Sequence, residues 1–257
     1  MKKIKRMCAK SFHAPVNEVV SQDGSEPKPQ SFELPSLDMP KLVTGDKMLP
    51  RLIVMDIDST LIDEEVIDML GEVAGVGDQV AQITDRAMRG ELDFRMALAE
   101  RVRLLKGLDE SVLAQVRSQL HFTKGALQLV QTAHQRGWKV GVVSGGFHGI
   151  ADSLVADAHI DYCLANTLEI KDGKLTGNVL GDIITKESKL EALRHWAMLE
   201  DIPMGRTVAI GDGANDIPMI QAAGIGIAFC AKPKTQQAAP HAINERDLMK
   251  VFDIIDA

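Results

Sequence analysis

The chain is expected to be an α/β protein: a Rossmann-like parallel sheet with helices on both faces, a small helical cap inserted after the first core strand, and a β-hairpin near 167–179. Three observations carry this. Short continuous apolar runs, Leu52–Met55, Trp138–Val143, Thr207–Ile210 and Ile225–Phe229, read as strands covered on both faces. Helical patterns separate the later ones, at Gly125–Arg136, Phe147–Ala158, Glu187–Glu200 and Ala214–Ala223, which implies a parallel sheet. Residues 64–120 break the alternation with helical periodicity alone.

Each element follows from its spacing. In the helical stretch, Val66/Leu70/Val73, Val80/Ile83/Ala87, Phe94/Ala97/Leu98/Leu105 and Val112/Leu113/Val116/Leu120 form four apolar stripes. Asp93 and Asp109 are candidate N-caps for the last two. Four short amphipathic helices after the first strand predict a cap over a sheet. Lys171-Asp-Gly-Lys174 is a hairpin turn signal between strands at Thr167–Ile170 and Leu175–Val179. The domain expectation is therefore an N-terminal extension over 1–49, an α/β core over 50–64 and 121–257, and a helical cap over 65–120. The extension carries eight Lys/Arg and six Asp/Glu and includes the polar stretch Ser21–Gln30, so it reads as mostly irregular, with one short helix near Val16–Val20.

Composition narrows the function. With 257 residues, 45% apolar, there is ample material for a core, and global disorder is excluded. The net charge of −7 argues against an electrostatic nucleic-acid binder. No apolar run approaches a transmembrane length, and no apolar stretch follows the basic start at Met1–Arg6, so neither membrane nor secretion is expected. The three thiols, Cys8, Cys163 and Cys230, are scattered and odd in number, which suits a reduced, cytoplasmic protein.

The chemistry sits where strands end. The first strand runs into Asp56-Ile-Asp58-Ser-Thr60, the second into Ser144-Gly145-Gly146, and the third into Gly211-Asp212-Gly-Ala-Asn215-Asp216. Open parallel sheets bind ligands beyond the carboxyl ends of their strands, so the three clusters can share one cleft. Asp56 and Asp58 would repel each other there. A divalent cation would relieve this, with Asp212 completing its ligands, and an all-oxygen donor set suits Mg²⁺. A single Asp in such a place is as readily a turn residue or N-cap. Ser144-Gly145-Gly146 offers a hydroxyl and N–H groups to an anion at a helix start, but is also an ordinary strand-to-helix turn. Lys189 alone reads as a solvated surface lysine. Arg101 stands on an apolar stripe, an expensive place unless it is paired or faces a cavity. It could equally snorkel at the stripe's edge while Val102 takes the buried position.

Taken in order, Asp-Ile-Asp-Ser-Thr, Ser-Gly-Gly, Lys189 and Gly-Asp-Gly-Ala-Asn-Asp resemble the motifs of the haloacid dehalogenase superfamily of phosphohydrolases over residues 50 to about 255. Glu65, the stretch 87–94 followed by Arg101, residues 170–177 and Ala231-Lys-Pro-Lys234 resemble the branch that hydrolyses L-phosphoserine in serine synthesis. The resemblance implies Asp56 as nucleophile, Asp58 as acid and base, and Mg²⁺ on Asp56, Asp212 and the backbone carbonyl of Asp58. It implies that Ser144, Gly145 and Lys189 hold the phosphoryl oxygens, that Asn215 contacts the phosphate or its network, and that Asp216 braces the metal site or Lys189. It further implies that Arg101 takes the substrate's α-carboxylate and Glu65 its α-ammonium, with Met88 and Phe94 as apolar walls. The partner is then a small phosphomonoester, and the protein a monomer or homodimer. Another amino-acid phosphate, such as phosphothreonine or phosphohomoserine, is the alternative substrate, with transfer to an alcohol as the alternative reaction. The N-terminal regulatory domain of the ACT type seen in larger relatives has no counterpart pattern in residues 1–49.

Overall fold

The computed structural model of the protein describes Leu49 and residues 51–257; the short helix expected near Val16–Val20 and the thiol of Cys8 lie outside the described residues. A seven-stranded sheet has the order β4-β3-β2-β1-β5-β6-β7. Its strands are β1 (Leu52–Met55), β2 (Lys139–Phe147), β3 (Tyr162–Lys171), β4 (Lys174–Leu180), β5 (Thr207–Gly211), β6 (Ile225–Phe229) and β7 (His241–Ile243). All neighbours pair in parallel except β3 with β4. Strand β1 lies between β2 and β5, so successive connections leave it in opposite directions, and the crevice of an open α/β sheet falls there.

The central strands are apolar on both faces because both are covered. All four residues of β1 are fully buried. Ile53 and Met55 pack into one apolar cluster, while Leu52 and Val54 pack into the other with Leu193, Trp196 and Ile220. The covering helices are α5 (Ala126–Gln135), α6 (His148–Ala158), α7 (Lys186–Leu199) and α8 (Ile217–Ala222). Two short helices, α9 (Pro233–Ala238) and α10 (Lys250–Ile255), and strand β7 carry too few residues for a periodic signal and were not expected. Helix α8 begins at Ile217 rather than Ala214, because residues 212–216 form the turn that leaves β5.

Between β1 and α5 lie α1 (Val66–Val73), α2 (Gly77–Met88), α3 (Phe94–Leu104) and α4 (Ser111–Arg117). The stripes predicted for them are buried except at their ends: Leu70, Val80, Leu98, Leu105 and Val116 are inside, whereas Val73 is exposed. Asp93 caps α3, accepting a 2.8 Å bond from the Met96 N–H. Asp109 stands one residue too early to be the N-cap of α4, where Glu110 sits, and accepts instead from the Ser111 N–H. The two chain crossings of this helical insert meet in a short antiparallel ladder. Ile62 bridges Phe122, the Asp63 N–H donates to His121 O, and the Thr123 N–H donates to Leu61 O.

The hairpin turns at Asp172 and Gly173, both at positive φ, the conformation of a two-residue hairpin loop. Its tip then docks on the insert: the Gly107 N–H donates to Leu175 O, the Leu175 N–H donates to Leu108 O, and the Glu110 N–H donates to Gly173 O. The hairpin thus both extends the sheet and props the insert from the side.

Asp161 fixes the entry to β3. Burial pushes its carboxyl up, but hydrogen bonds from Lys139 Nζ, the Val140 N–H and His134 outweigh burial and hold it below its ordinary value. A depressed carboxyl stabilises the fold above the unfolded pKa, about 4, and that stability is lost as pH falls through the folded value. Asp161→Asn should therefore lower the melting temperature at pH 7, and the gap to the unaltered protein should close below about pH 4. Thermal scans across pH would check it; a constant gap would refute it.

Candidate active site

The loop leaving β1 turns sharply. Asp56 accepts from the Ile57 N–H at 2.8 Å, and Ser59 sits in the left-handed region at φ 54°. This turn sends Asp56 and Asp58 toward the crevice between β1 and β5. The Asp56 N–H itself is held by Ile210 O of β5. From β5, the turn 212–216 brings Asp212 alongside and folds Asp216 back, where its Oδ2 accepts from the Gly213 N–H at 3.0 Å.

Lys189 is buried, not solvated. It belongs to α7, whose start is set by a reciprocal cap between Thr185 and Ser188. Its Nζ lies 2.8 Å from Asp56 and 2.7 Å from Asp216, with 1% of the side chain exposed. Burial works against its charge, but Asp216 and Asp56 outweigh it and hold the ammonium above its ordinary pKa.

One ammonium is not enough for the carboxylates gathered here. Oxygens of Asp56, Asp212 and Asp216 lie within 4.8 Å of one another. Burial pushes Asp56 well up; Lys189 opposes this, while Asp216 and Asp58 add to it. Asp212 rises to about 6 through burial, then Asp216 and Glu65. Buried, mutually repelling carboxylates with hard oxygen donors are a fit for a small divalent cation. Asp216 has its two oxygens committed to Lys189 and Gly213, so Asp56 and Asp212 are the freer donors.

Asp58 faces a different environment. Its Oδ1 accepts from the Val66 N–H at 3.1 Å, and its Oδ2 lies 3.4 Å from Ser144 Oγ. Burial and then Glu65 raise it to about 7. The first and last residues of the Asp-x-Asp pair therefore have separate tasks open to them: Asp56 is tied to an ammonium, and Asp58 can hold a proton near neutrality.

A cavity of about 810 Å³ opens above these groups. The sheet side contributes Asp56, Asp58, Gly145, Asp212 and Asn215; the insert contributes Glu65, Phe94 and Arg101. Glu65 accepts from Ser59 Oγ at 2.8 Å. Arg101 resolves its sequence ambiguity in both ways at once: Val102 takes the buried place, and the guanidinium faces the cavity. Burial lowers its pKa, countered by Asp68, Glu65 and Asp58. Met88's side chain lies outside the described residues.

One expectation needs correction. Ser144–Gly146 is not a helix start; β2 runs on to Phe147, and α6 begins only at His148. Ser144 is fully buried, accepts from the Gly146 N–H at 2.7 Å, and lies beneath the cavity, not on its wall. The sequence reading notes Ala231-Lys-Pro-Lys234 without giving a role to Lys232, on the cavity wall beside Asp212, or to Lys234, and does not single out Asp68, Arg95 or Lys186 around it. The only signal was the basic Ala231-Lys-Pro-Lys run directly after β6.

An α/β crevice with this carboxylate–lysine centre defines a class, and comparison with known proteins agrees. The model of the haloacid dehalogenase-like hydrolase family matches residues 53–221, and the chain belongs to that family. It is 58% identical to a phosphoserine phosphatase of Streptococcus thermophilus over 80% of this chain and 95% of that protein. It is 50% identical, over the same shares, to a phosphoserine phosphatase of Lactococcus lactis subsp. lactis. Among solved structures, a phospho-aspartyl intermediate analogue of a phosphoserine phosphatase superposes with TM-score 0.76 at 41% identity, covering 80% of this chain and 98% of that one. A substrate-bound phosphoserine phosphatase complex matches equally well.

Insert and sheet touch at Gly145: a Cβ there would lie 2.9 Å from Phe94 Cζ. Gly145→Ala should push the insert away from the sheet, raising KM several-fold with little change in melting temperature. Steady-state kinetics beside a thermal scan would check this; an unchanged KM would refute it.

Proposed function

We propose that the protein is a Mg²⁺-dependent phosphomonoesterase that hydrolyses L-phosphoserine to L-serine and phosphate through an aspartyl-phosphate on Asp56. The observation that carries this reading is that Glu65 and Arg101 line the same cavity as Asp56 and Asp58. One end of the cavity handles a phosphate, and the other can take a carboxylate and an ammonium.

Asp56 attacks phosphorus and the bond to the serine oxygen breaks. Asp58, with its pKa near 7, gives that oxygen a proton. Water then attacks the aspartyl-phosphate, Asp58 takes a proton from it, and the Asp56 carboxylate is released. Lys189 neutralises Asp56 and faces the charge that spreads over the phosphoryl oxygens in the transition state. Asp216 is a positioning residue, holding Lys189. Ser144 Oγ and the Gly145 N–H are assigned to the phosphoryl oxygens and Asn215 to the phosphate's surroundings. Ser144 needs a small shift to serve, since it also holds Gly146. The cation would be held by Asp56, Asp212 and the backbone carbonyl of Asp58, and when bound it screens the negative charge between carboxylate and phosphate.

The insert acts as a cap. Arg101 presents a guanidinium fork to the α-carboxylate, and Glu65 accepts from the α-ammonium. Phe94 closes the apolar side, and closure excludes bulk water from the acyl phosphate. No helix among the described residues is long and apolar enough to cross a membrane. The free thiols Cys163 and Cys230 support a reducing, cytoplasmic setting.

The test is phosphate release from L-phosphoserine with Mg²⁺ or EDTA, beside a panel of phosphomonoesters that lack the amino-acid groups. Release should need the metal and disappear in Asp56→Asn. Asp58→Asn should cut kcat about 10²–10⁴-fold. Arg101→Ala should lower kcat/KM about 10-fold or more for phosphoserine while sparing the simple esters, since a charge-assisted bond is worth about 1.5–3 kcal/mol. Equal losses on both substrate classes would refute the assignment of Arg101, and release by Asp56→Asn would refute the nucleophile.

A further inference from the structure

We propose that Arg246 is a positioning residue that pins the neck of the helical insert to the sheet and thereby keeps Asp58 and Glu65 in register. Arg246 follows β7, far along the chain from the neck, and it is not among the residues lining the cavity. Its guanidinium nevertheless reaches both crossings of the insert. Nε lies 2.5 Å from Asp63 Oδ1, and Nη2 donates to Ile62 O at 3.1 Å. Nη1 reaches Ser59 O at 3.4 Å, and Nη2 reaches Thr123 Oγ1 at 3.4 Å. Thr123 Oγ1 in turn donates to Asp63 Oδ1, so the outgoing and returning strands are tied through one cation.

Geometry, not pair energy, gives this contact its importance. Arg246 and Asp63 are both more than a third exposed, where an ion pair contributes little. The planar fork, however, spreads its donors over three nitrogens in a fixed plane and so reaches a carboxylate and two carbonyls set apart along the neck, whereas an ammonium's three donors all leave one nitrogen. The carbonyl it meets at Ser59 belongs to the one residue of the β1 exit loop held at positive φ. Ser59 also donates to Glu65, and its N–H is bonded to Glu64 O. The Val66 N–H, next to Glu65, donates to Asp58. A shift of Ser59 therefore moves the proposed acid and the proposed ammonium acceptor together. Glu64 also clasps the backbone and ring of His121, a second tie between the two crossings of the neck.

The test combines amide hydrogen exchange on the full chain with kinetics, using Arg246→Ala and Arg246→Lys. In both variants the Asp63 and Thr123 amides should exchange roughly tenfold faster, with those of Val208 and Ala209 in β5 unchanged. The value of kcat/KM for L-phosphoserine should fall by a similar factor, and Lys should not rescue it. Unchanged neck amides would overturn the proposal. Uniform loosening of all amides would reduce Arg246 to a general structural role, and full rescue by Lys would leave charge alone as its contribution; either result also overturns it. The kinetic arm rests on the proposed function, but the exchange arm needs no substrate. Failure of the unaltered protein to release phosphate from phosphoserine would therefore count against the function and leave the pinning role standing.

Discussion

The structure is organised around a single buried ammonium. Lys189 lies between Asp56 and Asp216, almost wholly out of water. An unpaired charge in such a place would be prohibitive, and removing one partner from a buried pair typically costs about 3–5 kcal/mol. Three elements must therefore arrive together: the end of β1, the first turn of α7 and the turn after β5. The reciprocal cap at Thr185 and Ser188 fixes where α7 begins, and so where Lys189 points. The Asp56 N–H bond to Ile210 O fixes the separation of the two strand ends.

A charge imbalance remains in the crevice. Three carboxylates converge and one ammonium answers them. Burial first and the neighbouring carboxylates second raise Asp56 and Asp212, and burial with Glu65 raises Asp58 to about 7. In water these groups would all be ionised alike. In the crevice their surroundings differ: Asp56 is paired with a lysine, Asp58 accepts from the Val66 N–H beside Glu65, and Asp212 lies nearer the Lys232 side. The sheet's change of direction at β1 supplies the room for this, since no crossover covers the crevice. The helical insert then roofs it, held by the hairpin tip on one flank and by the neck at its base.

The sheet was largely legible because its signal is local. β1 and β6 begin and end where their apolar runs do, and the four stripes of the insert are inside except at their ends. Asp56, Asp58 and Asp212 could be singled out because strand ends in an open parallel sheet are where ligands bind. What escaped notice was either short or non-local. β7, α9 and α10 are too brief to show a period. The continuation of β2 past two glycines runs against strand propensity; its register with β3 shifts after Val143, and pairing resumes between Phe147 and Asn166. Lys232 stands in the Ala231-Lys-Pro-Lys run that the sequence does show, but its place on the cavity wall follows only from β6 ending beside Asp212.

The sequence by itself determined the class of fold, the order of its strand-end clusters and the family, because these depend on periodicity and residue order along the chain. The burial of Lys189, the split between Asp56 and Asp58, the turning of Arg101 into a cavity and the grip of Arg246 on a neck far away in sequence were decided only by tertiary structure. The physical reason is the same in each case. Desolvation and charge coupling depend on which groups lie within a few ångströms, and in this fold those groups come from strands, turns and helices widely separated along the chain.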